Sequence, residues 1–133
     1  PRQDPFGEAG VISIFCQHLL DGVTPGIHWD GEQTRDFVFV SDCARANLLA
    51  LNARESRAYN VGTGVGTSIN ELYARLLEVA DRQVIPRRDP RRPGDARHSY
   101  LNCSRIQQEL GWQAEVSLRD GLAQTWQSIV EQQ

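Results

Sequence analysis

A chain of 133 residues is long enough for one domain with a real core, and 40% hydrophobic against 23% charged residues is the balance of a globular protein. The net charge of −3 and the lack of any basic stripe alternating with aromatics argue against nucleic acid as a partner. No apolar run approaches the roughly 20 residues of a membrane helix, and the opening Pro1-Arg2-Gln3-Asp4-Pro5 does not read as a signal peptide, so no membrane partner is expected.

In chain order, Val11, Ile14, Phe15, Leu19 and Leu20 recur at helical spacing and predict a helix over 8–20, ended by Gly22. After the turn residues Thr24-Pro25-Gly26, the short apolar segment Ile27-His28-Trp29 leads into Asp30-Gly31, a strong turn signal. Phe37 to Val40 is a continuous apolar run that predicts a strand buried on both faces. Ser41 or Asp42 can cap a following helix through Ala44, Leu48 and Leu51. Tyr59-Asn60-Val61 reads as a strand entering a glycine-rich turn. Ser68 and Glu71 form a capping-box pattern before a helix with Ile69, Leu72, Leu76 and Val79 on one face. Val84-Ile85 predicts a short strand before Pro86, and 87–97 a charged loop. Ser104 with Gln107, and Ser117 with Asp120, open two further helices, the first closed by Gly111 and the second facing inward with Leu122, Trp126 and Ile129. Four to five helices alternating with short strands make the class α/β. The strands are too few and too short to close a doubly wound sheet, so 37–40 and 42–52 are expected to be pieces of a larger one.

Chemistry is constrained first by what is missing. All 14 basic residues are arginine, so no step that needs a lysine can be completed by this chain. Methionine is absent as well, which is weak support for a chain read from part-way through a longer one, since an initiator before Pro1 could have been removed. Cys16, Cys43 and Cys103 are scattered and odd in number, which predicts reduced thiols and a cytoplasmic setting. His18, His28 and His98 share no ligand spacing, so no metal site is expected. No GxSxG elbow marks a nucleophile.

Three segments invite a functional reading. Arg35 stands just before the apolar run 37–40 and could aim its rigid fork at a phosphate, or pair with Asp36 or Glu32 at the surface. Arg91-Arg92-Pro93-Gly94-Asp95 lies in a stretch with five arginines between 87 and 97. Its Pro-Gly turn would hold Arg92, a phosphate ligand, and Asp95, an acceptor for ribose hydroxyls, on one side; a solvated charged loop is the alternative. Gly62-Thr63-Gly64-Val65-Gly66-Thr67 follows a strand and precedes a helix. Its third glycine position is Thr67 and no acid closes a following strand, so it reads as a turn rather than a dinucleotide loop.

Taken together these segments resemble the second half of the NAD-dependent epimerases and dehydratases of the extended short-chain dehydrogenase family, most closely the UDP-glucose 4-epimerase group. The likeness is carried by Pro1 to Val11, by Asp30-Gly31 through Asp42, by Tyr59-Asn60-Val61-Gly62-Thr63-Gly64, by Arg92-Pro93-Gly94-Asp95, and by Gly111-Trp112 with the final helix. It covers nearly the whole chain, as one substrate-binding region over 1–133. The fold it implies is the carboxy-terminal substrate-binding portion of such an enzyme, short strands with helices, lacking most of the Rossmann sheet.

The resemblance implies roles residue by residue. Arg35 and Arg92 match the two arginines that hold the diphosphate of a nucleotide sugar, and Asp95 matches the acid at the ribose. Val11 lies where a substrate loop approaches. His28 falls where a tyrosine or phenylalanine stands near the base, and Trp29 where a glycine is usual. The family's NAD loop, its tyrosine base and the lysine three residues on all precede the matching region. The resemblance therefore implies no catalytic and no cofactor-binding residue here, NAD in the intact family but none on this chain, and a UDP-sugar as partner. A dehydratase or decarboxylase would share the same arginines, and a non-catalytic binding module is the alternative from another class. Each large apolar side chain left bare where a nucleotide-binding domain would sit forgoes about 1.5–3 kcal/mol. The expectation is thus a homodimer or other self-association through that face.

Overall fold

A computed structural model describes residues 10–53 and 55–131. Five α-helices and five short strands alternate: α1 (Val11–Leu20), β1 (Gly26–His28), β2 (Thr34–Arg35), α2 (Val40–Ala50), β3 (Thr67–Ser68), α3 (Ile69–Ala80), β4 (Arg87–Asp89), β5 (His98–Ser99), α4 (Ser104–Leu110) and α5 (Leu118–Val130). The α/β class holds. The first residues of the predicted 8–20 helix lie outside the described residues.

Two small sheets set the frame of the site. β1 runs parallel to β4, with Ile27 opposite Arg88 and His28 opposite Asp89. β2 is central in the other, antiparallel to β3 and parallel to β5, with Arg35 opposite Thr67 on one side and Ser99 on the other. Both sheets therefore join the 26–35 region to the segment flanking the arginine loop.

The main core lies where α1, α3 and α5 meet these strands. Phe15, Leu19, Ile27, Leu72, Leu76 and Leu122 are buried there, and Phe15 meets Tyr73 edge-on at 5.0 Å between ring centres. Cys16 is part of the same core, and burial pushes its thiol up to about 11, as befits a packing group. The capping readings at Ser68 and Ser117 are correct: their hydroxyls accept from the amides of Glu71 and Asp120, both at 3.1 Å. A second, smaller core joins α2 to α4 through Ala46, Ile106 and Trp112.

Several local expectations are corrected. The run 37–40 is no buried strand: Phe37 to Phe39 are half-buried without ladder partners, and Val40, 72% exposed, already begins α2. A strand needs a neighbour to bond, and nothing among the described residues supplies one. The same reason applies to 59–61, which carries no ladder. Val84-Ile85 is likewise no strand; the ladder starts beyond Pro86, which lacks an N–H, where the Arg87 amide donates to the Pro25 carbonyl at 2.9 Å. Part of the predicted charged loop is therefore β4. Finally, neither Ser41 nor Asp42 caps α2, and at α4 the cap position is Cys103, with Asn102 Oδ1 accepting from the Ser104 amide instead.

Candidate functional site: an arginine-lined cleft

Strand β1 (Gly26 to His28) with Gln33 and Arg35, joined through the Asp30-Gly31 turn, forms one wall of a cleft of about 480 Å³, and the 92–95 turn forms the other. Gly31 adopts φ +76°, and a Cβ there would sit 2.1 Å from Asn70 Oδ1, so the turn requires glycine. Gly94, at φ +79°, makes the opposite turn in the same left-handed region. Phe15, Ile27 and Ile69 bring the edge of the main core into the cleft, giving it an apolar floor.

Five of the six residues singled out from the sequence line this one cleft: Val11, His28, Arg35, Arg92 and Asp95. Val11 opens α1. Arg35 is held by its own strand and by the 92–97 segment: Nη1 donates to the carbonyls of Thr34 at 2.7 Å and Ala96 at 2.9 Å, and Nη2 forms an ion pair with Asp95. The surface pairing with Asp36 or Glu32 is therefore not what forms; alternation along the chain sends Asp36 away from Arg35. Arg92 is exposed at the mouth of the cleft. The arrangement sets two guanidiniums, one fixed and one solvated, across an apolar floor. That suits a ligand with two neighbouring anionic groups and a flat apolar part.

Trp29 is not among the lining residues. It turns outward at φ +60°, and the guanidiniums of Arg91 and Arg97 lie over its ring at 4.2 and 4.4 Å. This left-handed conformation gives the physical reason why glycine would be at ease at this position.

Sequence reasoning missed Gln33. It is buried, lines the cleft, and donates through Nε2 to the His28 carbonyl at 3.0 Å, while its Oε1 has no partner. The clue was its place two residues after Asp30-Gly31, where the turn folds the side chain back on β1. Nothing in the sequence marks a polar residue there as buried.

Asp36 explains the glycine-rich loop. Its carboxylate accepts from the Thr63 amide at 2.8 Å, the Thr63 hydroxyl at 2.6 Å, the Gly64 amide at 2.9 Å and the Leu101 amide at 3.2 Å. Burial works to raise its pKa, but the Thr63 hydroxyl and these amides outweigh it and hold the carboxyl below its ordinary range. Amides that could have cradled a phosphate already hold an internal anion. The turn reading of 62–67 stands.

The chain matches the family described as GDP-mannose 4,6 dehydratase over residues 2–125. It is 45% identical over 126 residues to a UDP-glucose 4-epimerase of Mycolicibacterium smegmatis, covering 94% of this chain and 40% of that protein. Its fold superposes with a TM-score of 0.95 on the UDP-glucose 4-epimerase of Thermotoga maritima solved with UDP-glucose, at 42% identity, over 99% of this chain and 43% of the other. The UDP-glucose 4-epimerase of Thermus thermophilus, solved with NAD, matches at 36% identity and a TM-score of 0.82, over 96% of this chain and 42% of that one. The chain thus spans about two fifths of the length of these relatives.

NAD in such enzymes calls for open loop amides at a pyrophosphate. The one glycine-rich loop among the described residues spends its Thr63 and Gly64 amides on Asp36, and no lysine exists to assist a tyrosine. Among the described residues that loop therefore offers a pyrophosphate no open amides. Fold, sequence match and the order of the segments agree, and the chain belongs to the NAD-dependent epimerase/dehydratase family of extended short-chain dehydrogenases, corresponding to its carboxy-terminal portion.

Proposed function

We propose that this chain is the UDP-sugar-holding part of a UDP-glucose 4-epimerase-like enzyme and turns nothing over by itself. The observation that carries the reading is the convergence of Arg35, Arg92, Asp95, His28 and Val11 on one cleft. Arg35, oriented by two carbonyls, offers a pre-set fork to the diphosphate, and Arg92 closes on it from the opposite wall. Asp95, tethered to Arg35, accepts from the ribose hydroxyls. His28 stands at the base, with its Nδ1 donating to the Pro90 carbonyl at 2.9 Å so that the ring is fixed. Trp29 adjoins it, and Val11 faces the sugar side. Proton and hydride transfer at the sugar belong to residues this chain does not contain, since it has no lysine.

Calorimetric titration with UDP-glucose and with UDP, beside an Arg35→Ala/Arg92→Ala double variant, tests this. The expected outcome is binding of both ligands by the unaltered chain and none by the variant, with no UDP-galactose formed when NAD is added. Unchanged affinity in the variant overturns the assignment of the diphosphate.

A second reading concerns assembly. The exposed stripe of Val40 and Leu48 on α2 with Leu51 at its C-terminal cap favours self-association of the chain as a homodimer through this face.

A further inference from the structure

The turn that carries Arg92 and Asp95 belongs to an eight-residue segment, 90–97, between β4 and β5, with no ladder of its own. Both of its ends are fastened to residues 28–30. At the near end the Trp29 amide donates to the Asp89 carbonyl at 2.8 Å, and His28 Nδ1 donates to the Pro90 carbonyl. At the far end Arg97 Nη1 reaches both carboxylate oxygens of Asp30, at 2.7 and 2.8 Å. Between them stands the Trp29 ring, shared by Arg91 from one end of the segment and Arg97 from the other.

We propose that Trp29 is a positioning residue: its indole ties Arg91 to Arg97, closes the base of the 91–97 loop, and so fixes Arg92 and Asp95 at the cleft. Two like charges brought to one ring repel each other, and the indole quadrupole offsets that repulsion. The backbone points the same way. At φ +60° a bulky side chain is strained and a glycine would not be, so the ring's contacts must outweigh the strain. A closed loop base leaves Arg92 less freedom to lose when it meets an anion. This last step rests on the nucleotide-sugar reading; the closure of the loop does not.

The test separates the two. Trp29→Phe keeps a ring face, Trp29→Leu removes it on the same strained backbone, and Trp29→Gly removes both ring and strain. Amide hydrogen exchange of the ligand-free chain across 90–97 is expected to rise about tenfold in the Leu and Gly variants, the scale of losing two cation–π contacts. It stays close to native in Trp29→Phe, and exchange across α3 and α5 stays unchanged in all three. UDP affinity, by calorimetry, is expected to fall by a similar factor in the Leu and Gly variants and to recover in the Phe variant. Arg91→Gln, at an exposed position, gives the same loop acceleration and serves if the Trp29 variants fail to fold. Native-like exchange in the Leu, Gly and Arg91→Gln variants overturns the proposal, as does equal acceleration in Trp29→Phe. If the unaltered chain takes up no UDP, the nucleotide reading fails while the exchange measurement still decides the role of Trp29.

Discussion

Helices α2 and α3 are nearly equal in length, 11 and 12 residues, and they are held in opposite ways. α3 buries Ile69, Leu72, Tyr73, Leu76 and Ala80, an apolar face set into the main core. α2 buries only Asp42 and Ala46, while Val40, Leu48 and Leu51 lie outward, 72%, 64% and 81% exposed. Asp42 takes over the fastening that apolar packing gives α3. Its carboxylate accepts from the amides of Glu115 and Val116 at 3.1 and 3.0 Å and from Arg45, and its carbonyl accepts from Trp112 Nε1 at 3.0 Å. The cleft floor, Phe15, Ile27 and Ile69, belongs to the α3 side. The lesson is that the site rests on the self-sufficient half of the chain, and the polar-anchored helix stands away from it.

The largest effect should come from the α3 core. Leu76→Ala, at a fully buried position, is expected to cost about 2–5 kcal/mol, whereas Leu48→Ala should stay within about 0.5 kcal/mol. Urea denaturation, extrapolated to low protein concentration, reads both as midpoint shifts at constant slope. Equal shifts would break the comparison, because they would mean that the α2 stripe is as buried within a single copy of the chain as the α3 face.

Next comes the carboxylate that anchors α2. Asp42→Ala strands two amides and Arg45, and is expected to cost about 2–3 kcal/mol in the same urea experiment. The pH dependence sharpens this. Burial works to raise the Asp42 pKa, but the Val116 amide, Arg45 and the Glu115 amide hold it below the ordinary range, and Asp36 is lowered too. Both folded values lie below the unfolded value of about 3.9, so their stabilisation is complete above that pH and is lost as pH falls below it. Stability followed by circular dichroism should therefore drop more steeply below about pH 4 in the unaltered chain than in Asp42→Asn, which has no carboxyl to protonate. Identical acid limbs would remove Asp42 from the account.

The same contrast decides how much could be read before the structure. α3 was legible because its cap, Ser68, and its apolar spacing agree, and α5 was legible for the same reason at Ser117. The cleft was legible as far as residue identity: Arg35 lies 60 positions before Asp95, and the β2–β5 pairing with the Arg35–Asp95 ion pair brings the two segments together. What escaped was everything decided by a distant partner. By spacing Asp36 reads as a surface mate for Arg35, whereas in the fold it organises the 62–64 turn and Leu101. Asp42 looked like a helix cap and is a buried tie to residues 115–116. The run 37–40 reads as a strand by composition alone, and composition cannot say which strand it would pair with.

The smallest effect on stability carries the sharpest consequence for assembly. Val40, Ala44, Leu48 and Leu51 are exposed at i, i+4, i+8 and i+11, which places them on one stripe of α2, opposite the anchored Asp42 and Ala46. If two copies of the chain cover this stripe with each other, a Leu48→Ser/Leu51→Ser pair should turn a dimer into a monomer in sedimentation, while the urea midpoint extrapolated to low protein concentration barely moves. UDP binding should also persist, since neither residue lines the arginine cleft. A chain that sediments as a monomer both before and after the substitution would show that the stripe tolerates water, and the self-association reading would fall while the α2–α3 contrast in burial stayed as it is.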